Sequence, residues 1–189
     1  MTDFVTTSIN HFRYYKSLGE KTFSQLSDEQ LFYSPNESVN SIAITVQHLW
    51  GNMLSRWTDF LNSDGEKEWR NRDMEFEPVF KTREELLQRW EEGWICLFNA
   101  LSPLTPADLD KTIYIRNMGQ TVTDAISRQL CHYAYHVGQI VFMGKLQLDT
   151  QWKTLSIPKG NSATYNAGKF AQPKEKTSLR EGLEASDHA

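Results

Sequence analysis

One stretch of the chain decides the fold, and it reads TDAISRQLCHYAYHVGQIVFMGKLQL over residues 123–148. Its apolar side chains, among them Ile126, Tyr133 and Val137, recur three or four positions apart. That spacing places them on one face of an α-helix. The stretch therefore predicts a long helix that begins near Thr123 and needs other helices to cover its apolar face.

Three further stretches show the same helical spacing, at about residues 3–26, 41–61 and 82–101. A capping-box pattern at Ser27 and Gln30 predicts a short additional helical turn after the first of them. Four amphipathic helices without a convincing set of strands predict an all-α fold. We expect an antiparallel four-helix bundle, connected either up and down or with a crossover.

The connections between the predicted helices are less regular. Residues 66–81 are charged and aperiodic, so they predict a long connection on the surface. Residues 113–115, Ile-Tyr-Ile, predict a brief extended segment, and the Asn-Met-Gly at residues 117–119 predicts a turn. Neither connection adds a convincing sheet to the helices.

Length and composition are those of one compact domain with an extension. The chain has 189 residues, of which 39% are hydrophobic and 12% aromatic, and this is enough for one core. The helical periodicity ends near Trp152. We therefore expect a helical bundle over residues 1–150, an irregular segment packed on it over residues 151–171, and a flexible tail over residues 172–189.

Charge and cysteine content bear on the possible partners. The formal net charge is −4 at pH 7, so overall charge offers no support for a nucleic-acid-binding surface. No apolar run reaches the ~18 residues of a membrane span, and the first residues lack the pattern of a signal peptide. Cys96 and Cys131 do not make a disulfide framework, so we expect a cytoplasmic protein. From the charge and the lack of a long apolar run, we expect no nucleic-acid or membrane partner.

A pair of histidines in the long helix suggests a metal site. His132 and His136 are four positions apart, so both imidazoles lie on one helix face and can reach one ion at Zn–N distances of about 2.0–2.1 Å. The pair alone is a weak signal, because this spacing often arises by chance. It does not match the zinc-protease pattern, since Tyr133 stands where that pattern needs a general-base Glu.

A third candidate ligand lies on the second predicted helix. His48 shares a polar strip of that helix with Thr45 and Asn52, beside the apolar face. Two helices packed side by side can bring His48 to the pair and form a polar pocket between them. The alternative is that all three are ordinary helix histidines, partly exposed or hydrogen-bonded to backbone. His11, on a polar face, and His188, near the C-terminus, are poorer candidates.

Neighbouring side chains bear on the same site. Gln139 is the strongest candidate to orient a histidine ligand, since a metal-bound His usually donates its other ring N–H to an acceptor. Tyr135 and Asn52 are further candidates to support the ligands. Cys131 adjoins His132 but points about 100° away from it, so we interpret Cys131 as a small buried thiol rather than a ligand.

Two segments carry a resemblance to a known superfamily: SIAITVQHL at residues 41–49 and HYAYHVGQI at residues 132–140. Through them the chain resembles the DinB/YfiT-like superfamily of metal-binding four-helix bundles. The likeness covers roughly residues 1–150, and the later segment at residues 156–160 suggests an uncharacterised branch of that superfamily.

The resemblance implies a site but leaves the reaction open. It implies a divalent metal bound by one His of the second helix and two of the fourth, which here are His48, His132 and His136. The superfamily includes thiol transferases that use bacillithiol or mycothiol, a maleylpyruvate isomerase relative, and many members with no known reaction. Membership of a fold does not choose among these activities.

Three neutral imidazoles leave one coordination position of the ion open, which is typical of catalytic sites. We therefore expect an enzyme that uses a divalent metal (Zn, Ni or Fe) on a small-molecule substrate. The leading hypothesis is a low-molecular-weight thiol (bacillithiol-type) S-transferase. The alternatives are a metal-dependent hydrolase, weakened by the lack of a well-placed carboxylate base, and a non-catalytic, stress-associated binding or dimerisation module. A homodimer is compatible with each, and metal binding should weaken below about pH 6.

Overall fold

The computed structural model describes residues 3–175, and this part of the chain is mainly helical, as predicted. Six α-helices follow one another: α1 (Phe4–Phe23), α2 (Asp28–Phe32), α3 (Ile42–Trp57), α4 (Arg83–Leu101), α5 (Val122–Leu148) and α6 (Ser162–Phe170). A two-stranded sheet, β1 (Thr112–Ile115) and β2 (Met118–Thr121), precedes α5. None of the helices in residues 3–175 combines the length and hydropathy needed to cross a membrane.

Side chains just before the helices fix where the helices begin. Asp3, Ser41 and Thr121 each accept a hydrogen bond from a backbone N–H of the first turn of α1, α3 and α5. Thr82 does the same for α4 and completes a capping box with Glu85. The capping box predicted before α2 is also present. These local bonds explain why the helices begin close to the predicted positions.

The third helix ends earlier than the sequence predicts. The apolar spacing continues to Leu61, but α3 ends at Trp57. Thr58 has extended rather than helical backbone angles, and Asp59 has a positive φ of 46°. The side chain of Asn62 then donates a hydrogen bond to the carboxylate of Asp59. This turn redirects the chain, so that the following connection can run back along α3.

The four long helices enclose the core. α3 packs on α4 and α5, and α1 packs on α5 and α4. At the centre, the rings of Phe12, Trp94 and Tyr133 are fully buried and meet at tilted or edge-on angles, with centroids 5.8 to 6.3 Å apart. These three rings come from α1, α4 and α5, so the aromatic contact fixes α5 against its neighbours.

A β-hairpin before α5 is the main departure from the predicted all-α fold. β1 and β2 pair antiparallel, with Ile115 opposite Met118. Arg116 and Asn117 form the two-residue loop, with φ of 54° and 60°, and positive φ at both positions is typical of tight hairpin turns. The sequence predicts the turn too late, because Met118 and Gly119 belong to β2. Strands this short carry too little alternation to be recognised from sequence.

The charge of the connection before α4 predicts that it lies on the surface, but part of it is buried. The short helical turn Asp73–Phe76 packs on α3 and carries Glu75, which is buried. The side chain of Arg70 is buried beside it and forms an ion pair with it. A charged segment can enter the interior when opposite charges are paired and hydrogen-bonded there.

The C-terminal segment contains a helix where the sequence predicts irregular structure. α6 has no buried residue, and Phe170 is 85% exposed. Periodicity does not reveal this helix because it buries no apolar face against the other residues that the structure describes. The tail predicted over residues 172–189 lies mostly outside the described residues, which end at Glu175. The domain limits near residues 150 and 171 stay predictions.

Candidate metal centre

Three histidine side chains from two neighbouring helices converge. His48 lies on α3, and His132 and His136 lie one turn apart on α5. The Nε2 atom of His132 is 3.4 Å from Nε2 of His48 and 3.1 Å from Nε2 of His136, and the possible ligand atoms of all three lie within 4.8 Å of one another. The structure therefore brings together the three histidines that the sequence indicates.

The separations of these nitrogens suit a shared metal ion. At Zn–N distances of 2.0–2.1 Å, tetrahedral coordination places two ligand nitrogens about 3.3 Å apart. The observed N···N distances of 3.1 and 3.4 Å lie on either side of that value. Three imidazoles supply three ligands and leave a further position for water or substrate. The three histidines could therefore hold a metal ion that binds imidazole.

The two histidines of α5 are oriented by glutamines of the same helix. Nδ1 of His132 lies 3.2 Å from Oε1 of Gln129, and Nδ1 of His136 lies 2.8 Å from Oε1 of Gln139. Because an amide oxygen accepts a hydrogen bond, each Nδ1–H donates it. The lone pair of each Nε2 then faces the point where the three rings converge and is free to bind an ion. Gln139 is thus close enough to orient His136, and its role in supporting a metal ligand stays a prediction. Sequence reasoning missed the role of Gln129, although its spacing of three from His132 could have indicated it.

His48 is oriented by an acid from outside the long helices. Its Nδ1 donates to Oε2 of Glu75 at 2.9 Å, and both side chains are buried. Arg70 holds the same carboxylate through two hydrogen bonds, from Nε to Oε1 at 2.7 Å and from Nη2 to Oε2 at 2.9 Å. Burial alone would raise the pKa of Glu75, but the hydrogen bonds from His48 and Arg70 outweigh it and hold the pKa below its usual value. Glu75 is therefore a buried anion that fixes the ring of His48.

Sequence reasoning missed Glu75 because it lies 27 positions from His48, in a segment without periodicity. One feature of the sequence, a glycine inside α3, could have indicated that another segment packs closely against this helix. Gly51 lies in the interior of that helix, where glycine costs about 1 kcal/mol relative to alanine. A Cβ at this position would lie 2.6 Å from Oε1 of Glu75, so the glycine makes room for the carboxylate.

The surroundings keep the histidines of α5 neutral at pH 7. Burial is the main cause that lowers the pKa of His132 to about 3, with smaller contributions from the neighbouring His136 and His48. Burial likewise lowers the pKa of His136 to about 4, with a contribution from His48. Neutral imidazole is the form of histidine that binds a metal ion. His132 and His136 are therefore in the form that binds metal near neutral pH.

Tyr133 connects the candidate ligands to the hydrophobic core. Its hydroxyl donates to Oδ1 of Asn52 at 3.1 Å and accepts from Nε1 of Trp57 at 3.0 Å, and all three side chains are buried. Burial raises the pKa of the Tyr133 hydroxyl above its usual value, so it stays protonated. Tyr133, which stands where the zinc-protease pattern has a Glu, therefore anchors α5 to the core between the candidate ligands His132 and His136. Asn52 contacts this anchor rather than a histidine nitrogen.

The remaining candidates from the sequence have other surroundings. Tyr135 is 62% exposed, and its ring centroid lies 4.8 Å from that of His136. Cys131 is exposed rather than buried as predicted, because it lies on the outer side of α5. His11 is half-buried on α1, apart from the cluster, and His188 lies outside the described residues. The roles suggested for the side chains around the ligands stay predictions.

The three histidines line a cavity of about 390 Å³, which is a usual size for a small-molecule site. Phe76 forms part of its wall and stacks on the ring of His48, with centroids 4.9 Å apart and ring planes at 25°. Asn52 and Tyr135 also line the cavity, and most of the remaining wall consists of arginine side chains. A small ligand can therefore reach the converging nitrogens.

Comparison with known proteins finds one matching family. The family model, described as a protein of unknown function (DUF1572), matches residues 1–161. Neither a curated protein nor a solved structure matches the chain. The matched range includes His48, His132 and His136, so the candidate site lies wholly within the family region.

Proposed function

We propose that this chain, which belongs to the DUF1572 family, is a metal-dependent enzyme in which His48, His132 and His136 bind one divalent ion. The observation that carries the proposal is the convergence of the three histidines, with ligand atoms within 4.8 Å of one another, beside a cavity of small-molecule size. The proposed architecture is an antiparallel four-helix bundle of the DinB/YfiT type. The pairwise packing of α1, α3, α4 and α5 supports it.

The ion we propose is Zn, Ni or Fe, because all three bind imidazole well. When bound, such an ion lowers the pKa of a coordinating thiol and so favours the thiolate. The side chains of the protein keep the ligands in place. Glu75 and Gln139 fix the rings of His48 and His136 through their Nδ1 atoms, and Phe76 covers one face of the His48 ring.

The proposed reaction is the transfer of a low-molecular-weight thiol, of the bacillithiol type, to a small electrophile. The sulfur forms a bond to the electrophilic carbon, the bond from that carbon to the leaving group breaks, and the thiol proton passes to solvent. Among the described residues, no Asp or Glu lines the cavity, and Glu75 is committed to His48 and Arg70. Hydrolysis benefits from a carboxylate base that activates water, so the composition of the wall favours thiol transfer.

Elemental analysis of purified protein tests the metal site, after exposure to Zn²⁺, Ni²⁺ and Fe²⁺ in turn. We expect one ion per chain in the wild type and none in His132→Ala, with the helical circular dichroism of the two proteins unchanged. His11→Ala is the matched control, because His11 lies outside the cluster. A wild-type protein that rejects all three ions would overturn the proposal, and so would a His132→Ala variant with a full complement of metal.

The reaction is tested with metal-loaded protein, first with a low-molecular-weight thiol and an electrophile and then with ester and amide substrates alone. We expect turnover that requires both thiol and metal and is lost in His132→Ala. Thiol-independent hydrolysis would contradict the transferase and support the hydrolase. The absence of both activities, together with a stable dimer in light scattering, would support a binding or dimerisation module instead.

A further inference from the structure

The wall of the cavity beside the histidines is strongly cationic. Five arginines line it: Arg56, Arg70, Arg72, Arg116 and Arg128. Within residues 3–175 no Asp or Glu belongs to the same wall. The chain as a whole has a formal net charge of −4, so this local excess of positive charge is opposite in sign to the rest of the molecule. Clustered charge in a concave site attracts ligands of the opposite sign.

Three of these arginines share one carboxylate behind the wall. Glu66 Oε2 lies 3.1 Å from Nη1 of Arg56, 3.3 Å from Nη1 of Arg70 and 3.3 Å from Nη2 of Arg116. Glu75 adds a second carboxylate, which pairs with Arg70. Five guanidinium groups against these two carboxylates leave an excess of three positive charges around the cavity.

One of the buried arginines is only partly satisfied. Arg56 is 8% exposed, and its Nε atom has no hydrogen-bond partner within the described part of the chain. Burial lowers the pKa of Arg56, and this lowering is only partly offset by Glu66. A buried guanidinium without a complete set of acceptors is costly in the free protein. An anion in the cavity would reduce that cost by supplying negative charge nearby.

Two arginines of the wall have no ion pair with any residue in the range 3–175. Arg72 lies over the ring of Phe76, 5.3 Å from its centroid, and Phe76 in turn stacks on His48. Arg128 lies on α5 one turn before His132, so its side chain leaves the helix on the same face as the ligand. Arg72, from the connection between α3 and α4, and Arg128, from α5, therefore flank the histidines.

We propose that the cavity binds an anionic substrate, and that Arg72 and Arg128 hold its carboxylate or phosphate group beside the three histidines. Guanidinium groups pair with both kinds of oxyanion through parallel hydrogen bonds. The inference rests on the proposed function for its chemistry, and it narrows the electrophile to small molecules that carry such a group. The cavity volume of about 390 Å³ suits a small molecule rather than a polymer.

Isothermal titration calorimetry of Zn²⁺-loaded protein with inorganic phosphate tests this inference. We expect the double variant Arg72→Gln/Arg128→Gln to bind phosphate about ten-fold more weakly or worse than the wild type, with each single variant between them. The zinc content of all variants should equal that of the wild type. Arg13→Gln is the matched control, since it removes one positive charge on α1 outside the cavity.

A second titration separates the arginines from the metal. Imidazole, a neutral ligand for the open coordination position, should bind the double variant as well as it binds the wild type. Metal-free wild-type protein should still bind phosphate, more weakly, because the guanidinium charges remain. Phosphate affinity that is the same in the double variant and in Arg13→Gln would overturn the inference, and so would a wild type that does not bind phosphate.

Failure of the proposed metal site is distinguishable from failure of this inference. A wild-type protein that takes up no Zn²⁺ but binds phosphate through Arg72 and Arg128 would support the anion site and overturn the metal-dependent enzyme. A protein that takes up Zn²⁺ and binds phosphate equally with and without the two arginines would support the metal site and overturn the anion site.

Discussion

The two sides of the candidate metal centre are built in opposite ways. On α5, His132 and His136 lie one turn apart, and the geometry of a single helix brings them together with Gln139. On the α3 side, His48 depends on Glu75, which comes from a connection 27 positions away and is itself held by buried Arg70. One half of the site is therefore local, and the other forms only when the tertiary structure is complete.

The largest effect in this comparison is expected for Glu75→Gln. The substitution removes the anion that orients His48 and leaves buried Arg70 with one carboxylate fewer. Loss of a partner behind a metal ligand typically weakens metal binding by about 10- to 100-fold. Competition with a chromophoric chelator measures the change. Glu77→Gln is the control, since Glu77 is an exposed acid of the same connection, and equal affinity in the two variants would contradict the dependence of the α3 side on Glu75.

Acidification tests the α5 side, where His132 and His136 have pKa values lowered to about 3 and 4. In the unfolded chain these histidines have the ordinary pKa of about 6.5, so they take up protons as the pH falls below that value. In the folded chain they stay neutral until the pH is much lower. The free energy of unfolding of the metal-free protein should thus be highest above about pH 6.5 and fall as the pH drops toward 4. Urea unfolding at about pH 7.5 and about pH 5 measures this difference.

The variant His132→Gln/His136→Gln serves as the control for this pH dependence. It lacks both titrating rings, so its free energy of unfolding should change less between the two pH values. An equal change in variant and wild type would contradict the assignment to these histidines. The same lowered pKa values revise the expectation that metal binding weakens below about pH 6, which rests on an unperturbed histidine. Weaker competition from protons moves that onset to a lower pH.

A smaller effect is expected when space rather than charge is changed on the α3 side. In Gly51→Ala the new Cβ would lie 2.6 Å from Oε1 of Glu75, so the carboxylate must shift and metal affinity should fall by less than in Glu75→Gln. Gly138→Ala, on α5, meets no atom within 4 Å and should leave affinity unchanged while stabilising the helix by up to about 1 kcal/mol. Chelator competition and thermal unfolding measure both, and a larger loss of affinity in Gly138→Ala would reverse the comparison.

The smallest effect is expected for Gln139→Ala. Gln139 is exposed, and water can replace its hydrogen bond to Nδ1 of His136. Metal affinity should fall only a few-fold, less than in the Glu75 variant, because α5 itself holds the ring nearby. Gln88→Ala, on the exposed side of α4, is the control for the same change of side chain. A loss as large as that in Glu75→Gln would contradict the view that the α5 side is maintained by local geometry.

The parts of the fold that could be predicted are those encoded within a few residues. Ser41 and Thr82 cap their helices through hydrogen bonds to the first turn, so the helix starts follow from the sequence. The end of α3 could not be predicted, because Asp59 adopts a positive φ in a sequence whose apolar spacing continues. The hairpin was predicted only in part, as an extended segment at residues 113–115 and a turn placed too late, because its loop at Arg116 and Asn117 accepts positive φ without a glycine.

The candidate site divides in the same manner. His132 and His136 could be found from their spacing, and His48 from the polar strip of its helix and the family resemblance. Glu75 could not be found, because the charge of its segment indicates a surface location and its burial depends on tertiary contacts with Arg70 and His48. The cationic cavity was equally hidden, since its arginines come from four separate parts of the chain and the overall charge of the chain is negative.

The position of Tyr133 has a consequence for the order of events during maturation. Its ring is held by Phe12 and Trp94, and its hydroxyl by Asn52 and Trp57, so the backbone between the two α5 histidines is immobilised by contacts that involve no ion. Uptake of metal then requires little loss of conformational entropy. The chain should complete folding first and acquire its ion afterwards, and the ion should be exchangeable without unfolding the protein.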